Sequence, residues 1–160
     1  MRFDRMTIKL QEAFTDAQAL CEEERQQSIE PEHLLLTLLR DTDGIAQALS
    51  KKVGVDVNRL ISEFDAHIKK LPHISGASQV YISVQLKEVM DRAFEEARLI
   101  KDDFVSSEHI LLAVANNPKG NAGRIFKMLG LDRDKLLKEL MSLPVSQLVP
   151  DQNPEAKYQV

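Results

Sequence analysis

Sliding the 160-residue chain past itself by 76 positions superposes two long segments without a gap, and a duplication of that length restricts the fold to two copies of one unit. Glu32-His33-Leu34-Leu35-Leu36 falls on Glu108-His109-Ile110-Leu111-Leu112, with Ile29 on Val105 ahead of it and Gly44 on Gly120 and Ala46 on Ala122 behind it. Lys51, Gly54, Asp56, Leu60 and Glu63 land on Lys127, Gly130, Asp132, Leu136 and Glu139, while Leu10, Glu12 and Ala17 land on Leu86, Glu88 and Ala93. Most other aligned pairs exchange one apolar residue for another, so the copies share a buried surface more than a chemistry.

Each copy reads as four helices. Met6, Leu10, Ala13, Phe14, Ala17 and Leu20 follow the three-and-four spacing of one apolar helical face, answered by Leu86, Val89, Met90, Ala93, Phe94 and Ala97. Pro31 suits the first turn of the second helix, where its missing N–H costs nothing, and Ser106 is the matching N-cap in copy two. Short third helices are predicted from about Asp43 to Lys52 and from about Asn121 to Leu129, ended by Gly54 and Gly130. Asp56 and Asp132 cap the last helices, which stop before Leu71-Pro72 and Leu143-Pro144. Only Val80-Tyr81-Ile82-Ser83-Val84 carries a brief strand-like run. The expected fold is all-α: two tandem four-helix repeats packed about a pseudo-twofold axis. One unit of about 70 residues has a marginal core alone. Repeat one is placed at about 1–72, repeat two at about 83–144, together one domain 1–144, with 145–160 as a tether.

The charge balance, 21 Lys and Arg against 25 Asp and Glu, lacks the basic surplus that phosphate-backbone binding needs and argues against a nucleic-acid partner. No apolar run reaches the roughly 18 residues of a membrane span, and no secretory h-region follows Met1. The lone Cys21 makes no internal disulfide, which fits a reducing, cytoplasmic setting. It lies beside the apolar face of the first helix and reads as a packed small residue, not a nucleophile. His33 and His109 are the most tempting metal or enzymatic pair, but first-turn histidines hydrogen-bond locally, so no metal site is expected. Glu22-Glu23-Glu24 reads as a solvated helix end. No phosphate-binding Gly-x-x-x-x-Gly-Lys-Ser/Thr occurs, and the glycines of NPKGNAGR follow a helix, so no nucleotide turnover is expected. Asp102 and Asp103 read either as charges at a helix start or as the polar edge of a binding surface.

The pair EHLLL and EHILL, each followed by a glycine and then G-x-D, with the joint HISGASQVYISVQL and the run DDFVSSEHILLAV, resembles the N-terminal repeat domain of Hsp100/Clp unfoldases, on the disaggregase side of that family. The tail PDQNPEAKYQV resembles the lead-in to a first ATPase module. The resemblance implies a longer protein with two AAA+ modules in a homohexameric ring, with ATP and Mg bound there and no cofactor in this chain. It further implies threading of aggregated polypeptide together with the Hsp70 system. The front domain, monomeric when isolated, would engage unfolded or aggregated clients. Family positions tied to function map onto Thr7, Asp102 and Glu108, with Asp103 doubling the acidic position. The expected site is a shallow groove at the seam between copies, edged by these polar residues and floored by Val80, Tyr81, Ile82, Met90 and Phe94. Alternatives are a ClpA- or ClpC-like front domain that docks folded adaptors, an enzyme using His33 and His109, or a purely structural module.

Overall fold

The computed structural model describes residues 2–76 and 79–143; the proposed tether 145–160 lies outside the described residues. Eight α-helices are described: α1 (Ile8–Glu23), α2 (Pro31–Arg40), α3 (Ile45–Val53), α4 (Val57–Lys69), α5 (Val84–Leu99), α6 (Ser107–Ala115), α7 (Asn121–Leu129) and α8 (Arg133–Ser142). Every start in copy one, at 8, 31, 45 and 57, recurs 76 residues later at 84, 107, 121 and 133. The boundaries follow from the caps. Thr7 Oγ1 accepts the Leu10 N–H at 3.2 Å and Ser83 Oγ the Leu86 N–H at 3.0 Å. Asp56 accepts the N–H of Asn58 and Arg59, and Asp132 that of Lys135. Gly54 and Gly130 close α3 and α7 at φ of 94° and 85°, a left-handed turn that a side chain would strain.

The copies exchange their lead-in segments, which the repeat alone did not reveal. Met6, just ahead of α1, bridges Val105 of copy two, with Thr7 N–H donating to the Val105 carbonyl at 2.9 Å. Reciprocally, β2 (Tyr81–Ile82), just ahead of α5, pairs in parallel with β1 (Ser28–Ile29) of copy one, and Ser83 N–H donates to the Ile29 carbonyl at 3.1 Å. Each helix start is therefore hydrogen-bonded to the other copy, and the seam is built into both. Helices cross it as well: α3 packs on α8 and α4 on α7. Phe64 of α4 and Phe126 of α7, both fully buried, meet edge to face with centroids 6.0 Å apart. α2 and α6 are the central helices, burying Leu34, Leu35 and Leu36 in one copy and Ile110, Leu111 and Leu112 in the other. Among the described residues no helix is long and apolar enough to cross a membrane.

Gly123 shows how closely α7 approaches the loop before it. A Cβ built there falls 1.8 Å from the Asn117 carbonyl oxygen, a backbone atom that cannot rotate away. Gly123→Ala is expected to destabilise by about 2–3 kcal/mol through this overlap, read as a drop in the urea midpoint; an unchanged midpoint would show that the loop yields freely.

Candidate functional site: two clefts related by the repeat

The first turn of α6 organises the polar residues that the sequence singled out. Ser106 N–H donates to His109 Nδ1 at 2.9 Å, completing a capping box in which histidine takes the usual glutamate position. With Nδ1 accepting, the ring proton sits on Nε2 and donates to Asp102 Oδ2 at 2.7 Å. Ser106 Oγ donates to Glu108 Oε1, and Glu108 is 2% exposed. Copy one repeats the device. Glu30 N–H donates to His33 Nδ1 at 2.9 Å, while Nε2 reaches Gln26 Oε1 at 2.6 Å. Gln26 stands where copy two has Asp102. Burial pushes His33 down to about 4, so it stays neutral near pH 7. Both nitrogens of each imidazole are thus engaged in fixing a helix start. Of the acidic pair, Asp102 is the one bonded to this network; Asp103 is exposed.

Two clefts open beside these turns. Cleft 1, about 650 Å³, runs between α1, the α2–α3 connection and the start of α6. Thr7 and Glu108 line it, with Ala13, Leu38, Ile45 and Ala48 supplying apolar wall and Lys9, paired to Asp41 at 3.3 Å, at the rim. Cleft 2, about 500 Å³, is its repeat mate. Lys9, Glu12, Ala13, Leu38, Asp41, Gly44 and Glu108 of cleft 1 correspond by the 76-residue offset to Gln85, Glu88, Val89, Val114, Asn117, Gly120 and Glu32 of cleft 2. The duplication has therefore copied a concavity as well as a core, a feature that sequence reading missed although the repeat arithmetic contained it.

The carboxylate of cleft 2 is held differently from its mate. Glu32, 3% exposed, has His67 Nε2 at 3.0 Å from Oε2 as an ion-pair contact, and that buried nitrogen makes no hydrogen bond among the described residues. Burial first, and the neighbouring Glu30 second, push Glu32 up to about 7. Burial, then Arg124 and Lys70, push His67 down. A carboxyl that binds its proton more tightly in the folded state contributes stability below its ordinary value near 4.5, and that contribution is lost as pH rises through about 7. His33 acts in the opposite sense: its contribution is present above 6.5 and is lost as pH falls through about 4. Glu32→Gln, which keeps the shape without the charge, is expected to stabilise by about 1–3 kcal/mol at pH 8 and by almost nothing at pH 4. Urea unfolding at the two values checks this; an equal effect at both would mean that Glu32 ionisation carries no folding cost.

The expected apolar floor is corrected. Met90 is 1% exposed and belongs to the core, and Phe94, Val80 and Ile82 are half-buried against it. Tyr81 is 57% exposed. None of the five lines either cleft. The joint residues pair with copy one at Ile29, whereas Thr7, Asp102 and Glu108 gather at the Met6–Val105 bridge of copy two. The single groove read from the sequence joined residues from two separate ends of the pseudo-twofold. Cys21 is fully buried, and burial pushes its thiol up to about 11, which leaves it unreactive. The acidic run is solvated at Glu22 and Glu23, while Glu24 accepts from Lys69 Nζ at 2.7 Å and ties α1 to α4.

The chain matches the family described as the Clp repeat (R) N-terminal domain over residues 5–148. Among curated relatives, the chaperone protein ClpB of Bacillus cereus is 37% identical over 163 residues, covering 99% of this chain and 19% of the relative. ClpB 2 of Nostoc sp. is 34% identical over 157 residues, covering 98% of this chain and 18% of the relative. The chain therefore spans about a fifth of the length of the relatives it matches. Among solved structures, the N-terminal domain of the E. coli ClpV1 ATPase superposes with a TM-score of 0.78 at 25% identity, covering 94% of this chain and 91% of that one. The Hsp104 N-terminal domain of Candida albicans gives 0.73 at 20% identity, covering 85% and 89%. The duplicated helical fold is thus that of the N-domains of Hsp100/Clp ATPases, and the chain belongs to the Clp repeat N-terminal domain family.

Proposed function

We propose that this chain is the polypeptide-receiving front domain of a ClpB-type disaggregase, and that cleft 1 holds short extended segments of unfolded or aggregated clients before an AAA+ ring takes them. The observation that carries this reading is the placement of Thr7 and Glu108 on one furrow with small apolar residues, open to solvent and formed by both copies. Likeness to ClpB along almost the whole chain supports it, as does a solved complex of a ClpV N-domain with a VipB peptide, a relative of the same fold. Asp102 acts at one remove: through His109 it fixes the turn that presents Glu108.

Magnitudes fit transient capture. Each seated apolar side chain yields at most about 1.5–3 kcal/mol, and ordering the segment costs a few kcal/mol back. Two or three anchors then give micromolar to millimolar affinity, which six copies on a ring would raise by avidity. Ala48→Arg, which fills the furrow from the half-exposed side of α3, is expected to raise the Kd for reduced, carboxymethylated α-lactalbumin at least tenfold, while native α-lactalbumin binds neither protein. Fluorescence anisotropy checks this. Binding of the native protein as tightly as the unfolded one would favour a dock for folded adaptors, and unchanged binding by the variant would remove cleft 1 from the mechanism.

A further inference from the structure

We propose that the outer edge of β2 is a docking strand for another polypeptide, which adds an extended segment beside residues 80–82 and sets an acidic side chain against Lys87. The site shares no residue with cleft 1 and goes beyond the reading of that cleft.

The observation that carries it is an asymmetry between the copies. In a parallel pair, alternate residues turn their main-chain groups to the neighbouring strand. Tyr81 N–H donates to the Gln27 carbonyl and Ser83 N–H to the Ile29 carbonyl, both at 3.1 Å, and Gln27 Nε2 donates to the Gln79 carbonyl at 3.0 Å. Gln79, Tyr81 and Ser83 therefore face copy one, and the main chain of Val80 and Ile82 faces away from it. Neither residue has a main-chain hydrogen bond among the described residues.

The matching edge is closed in copy one. Met6 stands 76 positions before Ile82. Its N–H donates to the Phe3 carbonyl at 3.1 Å, in a single turn of 3-10 helix over Phe3–Arg5, and its carbonyl accepts from Gln11 Nε2 at 3.0 Å. Copy two lacks both closures. Its lead-in is a strand where copy one turns, and Lys87 stands at the position of Gln11.

These features define the occupant. Outward N–H and carbonyl groups on alternate residues match the main chain of an extended segment. Tyr81, 57% exposed, offers a side chain of that segment a cross-strand neighbour, and Val84, 69% exposed, continues the apolar surface past the strand. Lys87 sets the sign of the charge. It is exposed, and its repeat mate reaches this very edge. The ion pairs described on α5 are those of Glu95 with Arg98 and Glu96 with Arg133, so its ammonium is uncommitted among the described residues. Gln27 and Gln79, on the bonded side, bring no opposing charge. An acidic residue in the added segment is the complement.

The test is amide chemical-shift titration of the 160-residue chain with a capped seven-residue peptide. The peptide has threonine at its odd positions, valine at the second and sixth, and glutamate at the fourth. The Ile82 amide proton is expected to move downfield and to saturate in the millimolar range, with Val80 following. Two N-methylated peptides, one blocked at the valines and one at the two inner threonines, carry the block on opposite edges of the added strand. One is expected to bind about tenfold more weakly than the parent and the other equally well. Lys87→Gln, which restores the residue of copy one, is expected to weaken the glutamate peptide about threefold and to leave its glutamine analogue unchanged. An Ile82 amide silent at millimolar peptide overturns the site, whether or not Thr7 and Ala48 of cleft 1 respond. Equal effects of the two N-methylated forms overturn strand addition. Equal affinity of the glutamate and glutamine peptides for the wild-type chain overturns the acidic partner. Movement of Ile82 with protein concentration alone, undisturbed by peptide, makes a second copy of the chain the occupant and overturns the proposal.

Discussion

Replacing Phe126 with alanine is expected to cost about 3–5 kcal/mol and to lower the stability of both copies in one transition. The ring is fully buried on α7 and meets Phe64 of α4 edge to face across the seam, with centroids 6.0 Å apart. Its removal forfeits the transfer energy of a phenyl group, leaves a cavity that neighbouring helices only partly refill, and deletes the aromatic contact. Because the lead-in of α1 is bonded to copy two and that of α5 to copy one, neither copy retains a complete set of hydrogen bonds when the other opens. Denaturant unfolding followed by far-ultraviolet circular dichroism and by a probe in copy one is expected to give coincident transitions, shifted together. Loss of structure in copy two ahead of copy one would contradict the account of the exchanged lead-ins.

Arg133→Ala is expected to cost about 3–5 kcal/mol, whereas Arg133→Val combined with Glu96→Leu costs far less than that single change. Arg133 forks onto Glu96, with Nε at 2.7 Å from Oε2 and Nη2 at 2.6 Å from Oε1, while Glu96 is almost wholly buried and the guanidinium only partly so. Truncating the arginine strands a buried carboxylate. Copy one supplies the apolar alternative, for the positions 76 residues earlier are Leu20 and Val57. The double variant therefore restores what the other half of the molecule already uses at this joint, and buried pairs replaced by apolar residues of similar volume are frequently neutral. A double-mutant cycle in urea measures both effects. A double variant as damaged as the single would mean that copy two has reshaped around the ion pair.

Much of the fold was legible because duplication turns weak local signals into paired ones. Asp56 and Asp132, or Gly54 and Gly130, each mean little alone and become helix boundaries when both recur at one offset. The sequence places the start of the third helix of copy one at about Asp43, two residues early, whereas Gly44 takes the N-cap and α3 begins at Ile45. Which copy's strand pairs with which was not legible. Alternation marks Tyr81–Ile82 as extended, but pairing is a tertiary choice, and the partner Ser28–Ile29 is two residues long. That choice decides the site. With β2 on copy one, Val80, Tyr81 and Ile82 leave the neighbourhood of Thr7 and Glu108, and the expected floor of the groove is replaced by Ala13, Leu38, Ile45 and Ala48. Sequence spacing placed Met90 and Phe94 on one apolar face correctly, yet whether such a face meets the core or a ligand depends on what packs above it. The asymmetry between Gln26 and Asp102, and between Glu30 and Ser106, was present in the aligned copies and gained meaning only once both clefts were seen.

The central claim is that loose chains rest in the furrow bordered by Thr7 and Glu108. Amide chemical-shift mapping with an unlabelled unfolded polypeptide tests it most directly. The account predicts graded, fast-exchange perturbations at Thr7, Lys9, Ile45, Ala48 and Ser107, all of which line cleft 1, with the exposed face of α8 unmoved. Perturbations concentrated on the joint around Tyr81, or on α8, with cleft 1 silent at millimolar ligand, would contradict it.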